Sequence, residues 1–210
     1  MPRPYSLRRR QAATEETRAR VIAAARELIV AAEGFRGFTI DAVARQAGVA
    51  RMTVYYQFGS RRGLLEAVFD QMAARGGMER MAELFALAEP LEALMELIAV
   101  FGRFWASDRE ALRRFRALGA LDPELGQALR ARDEWRRNGC RAVLTRLAER
   151  RGGLDGEALS EDTDILFTLI GFETFDTLAG AQRSPEAVTP LVQRLARAAL
   201  GVDGKWPTVS

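Results

Sequence analysis

The sequence predicts an all-α protein of about nine helices, and three observations predict it. Apolar residues recur at three- and four-residue steps through most of the chain, while period-two runs of β-branched residues are absent. Helix-starting residues (Thr, Ser, Asp, Pro) and helix-stopping glycines punctuate the pattern at intervals that fit helices of ordinary length. With 210 residues, 48% of them hydrophobic, there is chain enough for a small domain followed by a larger one with its own core.

The first 13 residues read as a basic arm carrying Arg3, Arg8, Arg9 and Arg10 and no acid. Thr14 is the expected cap of helix one, whose first turn holds Glu15 and Glu16, complementing the positive end of the helix. Val21, Ile22, Ala25, Leu28, Ile29 and Ala32 make its apolar stripe, and Gly34 and Gly37 are expected to end it. Thr39 caps a short second helix, Ile40 to Ala47. Gly48 makes the turn, and a third short helix runs from Arg51 to about Gln57. Ser60 caps a long fourth helix, Arg61 to about Ala88.

Pro90 sits in the first turn of a fifth helix reaching Ala106, and the capping-box spacing of Ser107 to Glu110 opens a sixth. Asp122-Pro123 opens a seventh, to about Arg150, followed by the loop RGGLDG. An eighth spans Glu161 to Ala179 and a ninth Pro185 to Leu200. The expected organisation is an arm at 1–13 and a three-helix domain at 14–60 with its motif at 39–58. A larger domain follows at 61–201, and then a tail at 202–210.

Composition narrows the function. There is no His and one Cys, which closes Ser-His-Asp and Cys-His nucleophile systems, His-based metal sites and disulfide frameworks. No acid pair recurs at helical spacing with a plausible metal set, so no catalytic residue, metal ligand or cofactor is expected and the chain does not read as an enzyme. Lys205 is the sole lysine beside 30 arginines, a bias that base composition explains, although Arg also holds phosphate bidentately. The charge is unevenly placed. Residues 1–62 hold 12 Arg against five acids, while the overall net charge is only +3. A positive end on a solvated remainder suggests a polyanion partner, nucleic acid or an anionic membrane. The longest greasy stretch, Leu84 to Trp105, is interrupted by charges and Pro90, which argues against the membrane. No secretory signal is read at the N-terminus, and an intracellular protein is expected.

The stretch Thr39 to Phe58, TIDAVARQAGVARMTVYYQF, has the marks of a helix-turn-helix. Val43 and Ala47 face the small core, Ala44 is small where two helices cross, and Gly48 suits a left-handed turn. Val49, Val54 and Phe58 pin the second helix. That leaves Arg51, Met52, Thr53, Tyr55, Tyr56 and Gln57 in or near its exposed face, a shape that can enter a major groove.

More than the turn matches a known pattern. Gly34-Phe35, Phe38-Thr39-Ile40, Val43-Ala44, Ala47-Gly48-Val49, Thr53 to Phe58 and Ser60 to Leu65 together closely resemble the N-terminal domain of the tetracycline-repressor (TetR) family of bacterial transcription regulators. The resemblance runs from about Thr14 to Phe69, with two departures. Four residues, not three, separate Leu28-Ile29 from Gly34, and Ser60-Arg61-Arg62 stands where the family often has Ser-Lys-Glu. The resemblance implies phosphate contacts from Thr39, Tyr55, Tyr56 and Arg61, and base-edge contacts from Arg51, Met52 and Thr53. Arg51 suits guanine O6/N7, and the Met52 and Thr53 carbons suit a thymine methyl.

The resemblance further implies a ligand-binding domain in helices four to seven of the nine-helix count, and a homodimer through helices eight and nine. Ile165, Leu166, Leu169, Ile170, Phe172, Phe175 and Leu178 cover more of helix eight than one stripe needs, and Leu191, Val192, Leu195 and Ala199 stripe helix nine. Candidate walls for a small-molecule effector are Phe101, Phe104, Trp105, Phe115, Trp135 and Phe172, with Phe167 nearby. Glu173 and Asp176 are expected to pair with arginines of helix seven or of a dimer mate, and Cys140 to be a small buried hydrophobe. The expected function is a ligand-released repressor in the bacterial cytoplasm, associated with the nucleoid, acting as a homodimer on a pseudo-palindromic DNA operator.

Overall fold

The computed structural model describes residues 4–31, 38–150, 152–153 and 155–202, with side chains from residue 11 onward. It is all helical, with eleven α-helices among the described residues rather than nine. They are α1 (Pro4–Val30), α2 (Ile40–Ala47), α3 (Arg51–Phe58), α4 (Arg61–Arg75), α5 (Met81–Ala86) and α6 (Pro90–Ser107). Then come α7 (Arg109–Gly119), α8 (Pro123–Glu149), α9 (Gly156–Leu169), α10 (Phe172–Ala179) and α11 (Thr189–Ala199).

Two breaks account for the difference. The long fourth helix stops at Arg75 because Gly77 takes φ +76, and a short 3₁₀ turn, Met78–Arg80, leads into α5. Gly76 is also the point of closest approach to α6, since a Cβ there would lie 2.7 Å from the Phe104 Cα. The expected eighth helix breaks at Ile170-Gly171 into α9 and α10. The break is satisfied from outside the helix, because the Ile170 carbonyl accepts from Trp105 Nε1 at 2.9 Å and from Arg136 Nη1 at 3.4 Å.

Other boundaries also move. Helix α1 begins at Pro4, so residues 4–13 continue the helix and are not an arm, and Thr14 lies inside it and is not its cap. The segment from Tyr5 to Arg20 holds no glycine or proline to stop a helix, and Pro4 suits a first turn. The expected stop at Gly34 and Gly37, stripe residue Ala32, arm residue Arg3 and most of the tail lie outside the described residues. Ser107 closes α6 instead of opening α7, its hydroxyl donating to the Phe104 carbonyl at 2.7 Å.

The chain forms two compact units. One comprises the described parts of Met1–Gln71 and Glu110–Leu129, the other those of Met72–Arg109 and Arg130–Ser210. The division therefore falls differently from the expected boundary at residue 60, with α4 and α8 each contributing to both units.

In the first unit α2 packs on α1 and α3 around Val21, Ala25, Ile29, Val43 and Val54, all fully buried. Phe115 joins this unit's interior, edge-on to Phe69 with ring centroids 6.2 Å apart.

In the second unit α6 is the central helix, in contact with α5, α10 and α11. Arg109 ties the end of α10, pairing with Asp176 and donating to the carbonyls of Asp176 and Gly180 at 2.9 and 2.8 Å. Asp176 thus meets an arginine, but from α7, where an arginine of the seventh predicted helix or of a dimer mate was expected. Cys140 is fully buried on α8. Burial pushes its thiol up to about 12, against the opposing positive charges of Arg136 and Arg137. A thiol-exchange reagent should therefore label the protein only after denaturant is added, and stoichiometric labelling of the native chain would contradict this burial.

Candidate nucleic-acid interface

The helix-turn-helix is built as its residue types dictate. Thr39 is extended (φ −124°, ψ 155°), and its Oγ1 accepts from the Ala42 N–H at 3.1 Å, which leaves the hydroxyl proton available to a phosphate. Val43, Ala44 and Ala47 bury one face of α2. Gly48 ends α2 at φ +67°, the Val49 N–H reaches back to the Ala44 carbonyl at 2.9 Å, and the chain re-enters a helix at Arg51. Only Val54 of α3 is fully buried. At the far end Gly59 (φ +72°) closes α3, and Ser60 Oγ accepts from the Gly63 N–H to start α4.

This geometry leaves an open helix face. Tyr56 is 90% exposed and Met52 72%, unusual for residues of that size and chemistry on a folded surface. Thr53 and Tyr55 are half-buried, and Thr39 is exposed. Arg51, at the start of α3, is turned sideways. Its Nη1 meets Asp41 at 3.2 Å, its Nη2 meets the Tyr55 hydroxyl at 3.3 Å, and its charge lies over the Tyr55 ring. The Tyr55 hydrogen bond and then the Asp41 charge raise its already high pKa, so it is a permanent cation.

Arg61 behaves differently from an open surface cation. It pairs with Asp122 at 2.6 Å and stands over the Phe38 ring. Arg62 bonds Glu66 at 2.9 Å and Gln127 at 3.3 Å.

The structure thus brings Thr39, Arg51, Met52, Thr53, Tyr55 and Tyr56 together on α2 and α3, with Arg61 at the start of α4. It also supplies residues that the pattern did not reveal. Asp41 holds Arg51. Arg18 of α1 donates to the Gln57 carbonyl at 3.3 Å and lies 4.6 Å from the Phe58 ring centre, bracing the end of α3. Nothing in the sequence marks Arg18 out among 12 arginines of the first 62 residues.

The expected effector walls do not converge. Phe101, Phe104, Trp105 and Phe172 form one buried ring cluster in the second unit, with Trp105 centroids 4.5 to 5.8 Å from the other three. Phe115 belongs to the first unit's core, and Trp135 is 51% exposed on α8. Phe167 carries Arg136 on its ring at 4.1 Å, and Arg136 itself is 4% exposed, held within the core. Two cavities are described in the second unit, of about 320 and 350 Å³, and none of the six predicted walls lines either. The first has Leu84, Leu87 and Met95 as its apolar part, with Glu92, Glu96 and Gln193 around it.

Comparison with known proteins finds matches over the region that carries the helix-turn-helix. Residues 21–68 match the N-terminal family model described as "Bacterial regulatory proteins, tetR family". The chain is 46% identical over 61 residues to the HTH-type transcriptional regulator SrpR of Pseudomonas putida, a match covering 29% of this chain and 28% of that one. It spans less than half the length of the curated relatives it matches. Its fold is similar to the transcriptional regulator FadR from Bacillus subtilis, solved in complex with stearoyl-CoA. The TM-score is 0.65 at 23% identity, over 85% of this chain and 96% of that one. A regulator from Saccharomonospora viridis solved with choline has TM-score 0.62 at 16% identity, covering 90% and 97% of the two chains.

Proposed function

We propose that the chain is a bacterial transcriptional regulator of the TetR kind, as the match of residues 21–68 supports, and that it acts as a sequence-specific repressor. It binds a pseudo-palindromic DNA operator as a homodimer and leaves it when a small molecule binds among its C-terminal helices. The observation that carries this reading is the display of Arg51, Met52 and Tyr56 on the open face of a helix that follows a glycine turn, beside the capped and exposed Thr39. Arg51, Met52 and Thr53 meet base edges, while Thr39, Tyr55, Tyr56 and Arg61 meet phosphates and set the register. Duplex DNA fits this face better than a lipid surface does, because hydroxyls and a bidentate cation lie along one helix. In addition, none of the helices among the described residues is long and apolar enough to cross a membrane.

Homodimerisation is supported by the apolar side chains that α9 and α11 leave outside the core. Ile165 and Leu195 are exposed, and Leu169 and Leu191 are half-buried. Two-fold symmetry would set two α3 helices about one DNA turn (~34–36 Å) or a multiple apart. Release follows if the effector prefers a state whose two α3 helices no longer fit successive grooves. Stearoyl-CoA and choline, bound by two proteins of similar fold, share little chemistry, so the effector class is a property of each chain's own C-terminal lining. The proposed setting is the bacterial cytoplasm, at the nucleoid.

Selection from a random duplex pool, followed by salt titration, tests the reading. A palindromic motif should emerge, with affinity falling steeply as salt rises. Arg51→Ala should cost roughly 1–3 kcal/mol of discrimination at one base pair of each half-site. A pool that returns no enriched motif would refute sequence-specific binding.

A further inference from the structure

Arg61 is the cation nearest to the start of α4, where a phosphate contact is proposed, yet its guanidinium is already engaged. Its Nη1 lies 2.6 Å from Asp122 Oδ2, with side-chain exposures of only 28% and 11%. The other Asp122 oxygen accepts from the Leu125 N–H at 3.0 Å, making Asp122 the N-cap of α8. Arg62 makes a second tie, to Gln127 just past the first turn of α8. The start of α4 is thus held by two arginines against the start of α8, all within the first unit.

The carboxylate is a full charge at neutral pH. Burial would raise the Asp122 carboxyl, but the Leu125 N–H, the hydrogen bond and charge of Arg61, and the Glu124 N–H together bring it below the ordinary value. A carboxylate this close to a guanidinium cancels much of its attraction for a second anion and repels that anion directly. The pair is shielded enough from water for salt to screen it less than a surface pair.

We infer that Asp122 competes with the operator phosphate for Arg61, so that the first turn of α8 sets how much of the Arg61 charge reaches DNA. In the DNA-free chain the aspartate holds the arginine; on the operator a phosphate oxygen takes over one edge of the guanidinium. Any change in α8 that tightens its capped first turn on Arg61 favours release, and any change that loosens it favours binding. The inference rests on the DNA-binding reading above and adds an inhibitory residue that does not itself touch DNA.

The test is Asp122→Asn in the full-length chain, since Asn caps a helix as well as Asp does and only the charge is lost. Asp122→Ser, another good cap, serves as the second variant. Binding to the selected duplex is measured across a salt series, with a thermal melt to confirm the fold. Both variants should bind about fivefold more tightly at low salt, the order of a partly exposed ion pair released. The slope of log affinity against log salt should steepen by about one phosphate. In an Arg61→Ala background the same substitutions should change affinity less than about twofold. Equal or weaker binding by Asp122→Asn overturns the inference, as does an equal gain in the Arg61→Ala background, which would mark a general charge effect. A wild-type chain that binds no duplex would instead remove the proposed function itself, and this inference with it.

Discussion

Replacing Gly63 with alanine should abolish operator binding while leaving the second unit folded. A Cβ at Gly63 would lie 2.1 Å from the Phe58 carbonyl oxygen and 3.3 Å from its carbon. These are backbone atoms at the last residue of α3, so no side-chain rotation relieves the clash. The turn through Gly59 and Ser60 must open, and with it go the Ser60 cap on the Gly63 N–H and the direction of α3. Overpacking of this kind costs roughly 3 kcal/mol. Two misplaced base contacts at roughly 1–3 kcal/mol each lower specific affinity by at least about thirtyfold. Duplex titration reads the loss, and near-ultraviolet circular dichroism from the buried Trp105 should be unchanged. Wild-type affinity in Gly63→Ala would show that the α3–α4 turn is not the rigid joint this geometry requires.

Trp105→Ala should be the most destabilising single truncation in the second unit, at about 4 kcal/mol. The ring is 3% exposed, lies against Phe101, Phe104 and Phe172, and donates its Nε1 proton to the Ile170 carbonyl at the break between α9 and α10. Truncation therefore opens a cavity among three aromatic rings and also removes the closer of two donors to a buried carbonyl. Trp105→Phe separates the two effects. It keeps most of the packing and should cost only about 1 kcal/mol, because Arg136 still reaches the same oxygen at 3.4 Å. Urea unfolding measures both. Equal losses for Ala and Phe would place the effect in the hydrogen bond and not in the packing.

How far the sequence could be read depended on the range of the interactions. Helices α2 and α3 follow from short-range chemistry: Thr39 as a cap, Gly48 as a left-handed turn, Val43, Ala47 and Val54 as the buried positions. These were legible with nearly the observed bounds, and so was the open face that carries Met52 and Tyr56. The split of the predicted fourth helix has a local cue in Gly76-Gly77, but a glycine pair within an apolar pattern does not say whether the helix continues. The Phe104 backbone pressing on Gly76 is a contact 28 positions away. The break at Ile170-Gly171 is harder still, since one glycine is tolerated in many helices and the donors that stabilise this break, Trp105 and Arg136, are distant in the chain.

Candidate-site residues divide the same way. That Arg51 sits at the start of the exposed helix is a matter of spacing; that it leans on Asp41 and Tyr55 depends on how α2 crosses α3. Arg61 was legible as a cation at the start of α4, but its partner Asp122 is 61 residues on. The expected aromatic wall failed as a group because hydrophobicity marks burial without saying which core a residue enters. Phe115 went to one unit, four rings to the other, and Trp135 to the surface. By itself the sequence determined the helical class, the helix-turn-helix and the chemistry that its outer face offers, because caps, turns and periodicity act within a few residues. Only the tertiary structure decided where helices break, which arginines are held and by what, and which aromatic rings meet, because those outcomes depend on atoms that approach each other only after the chain has packed.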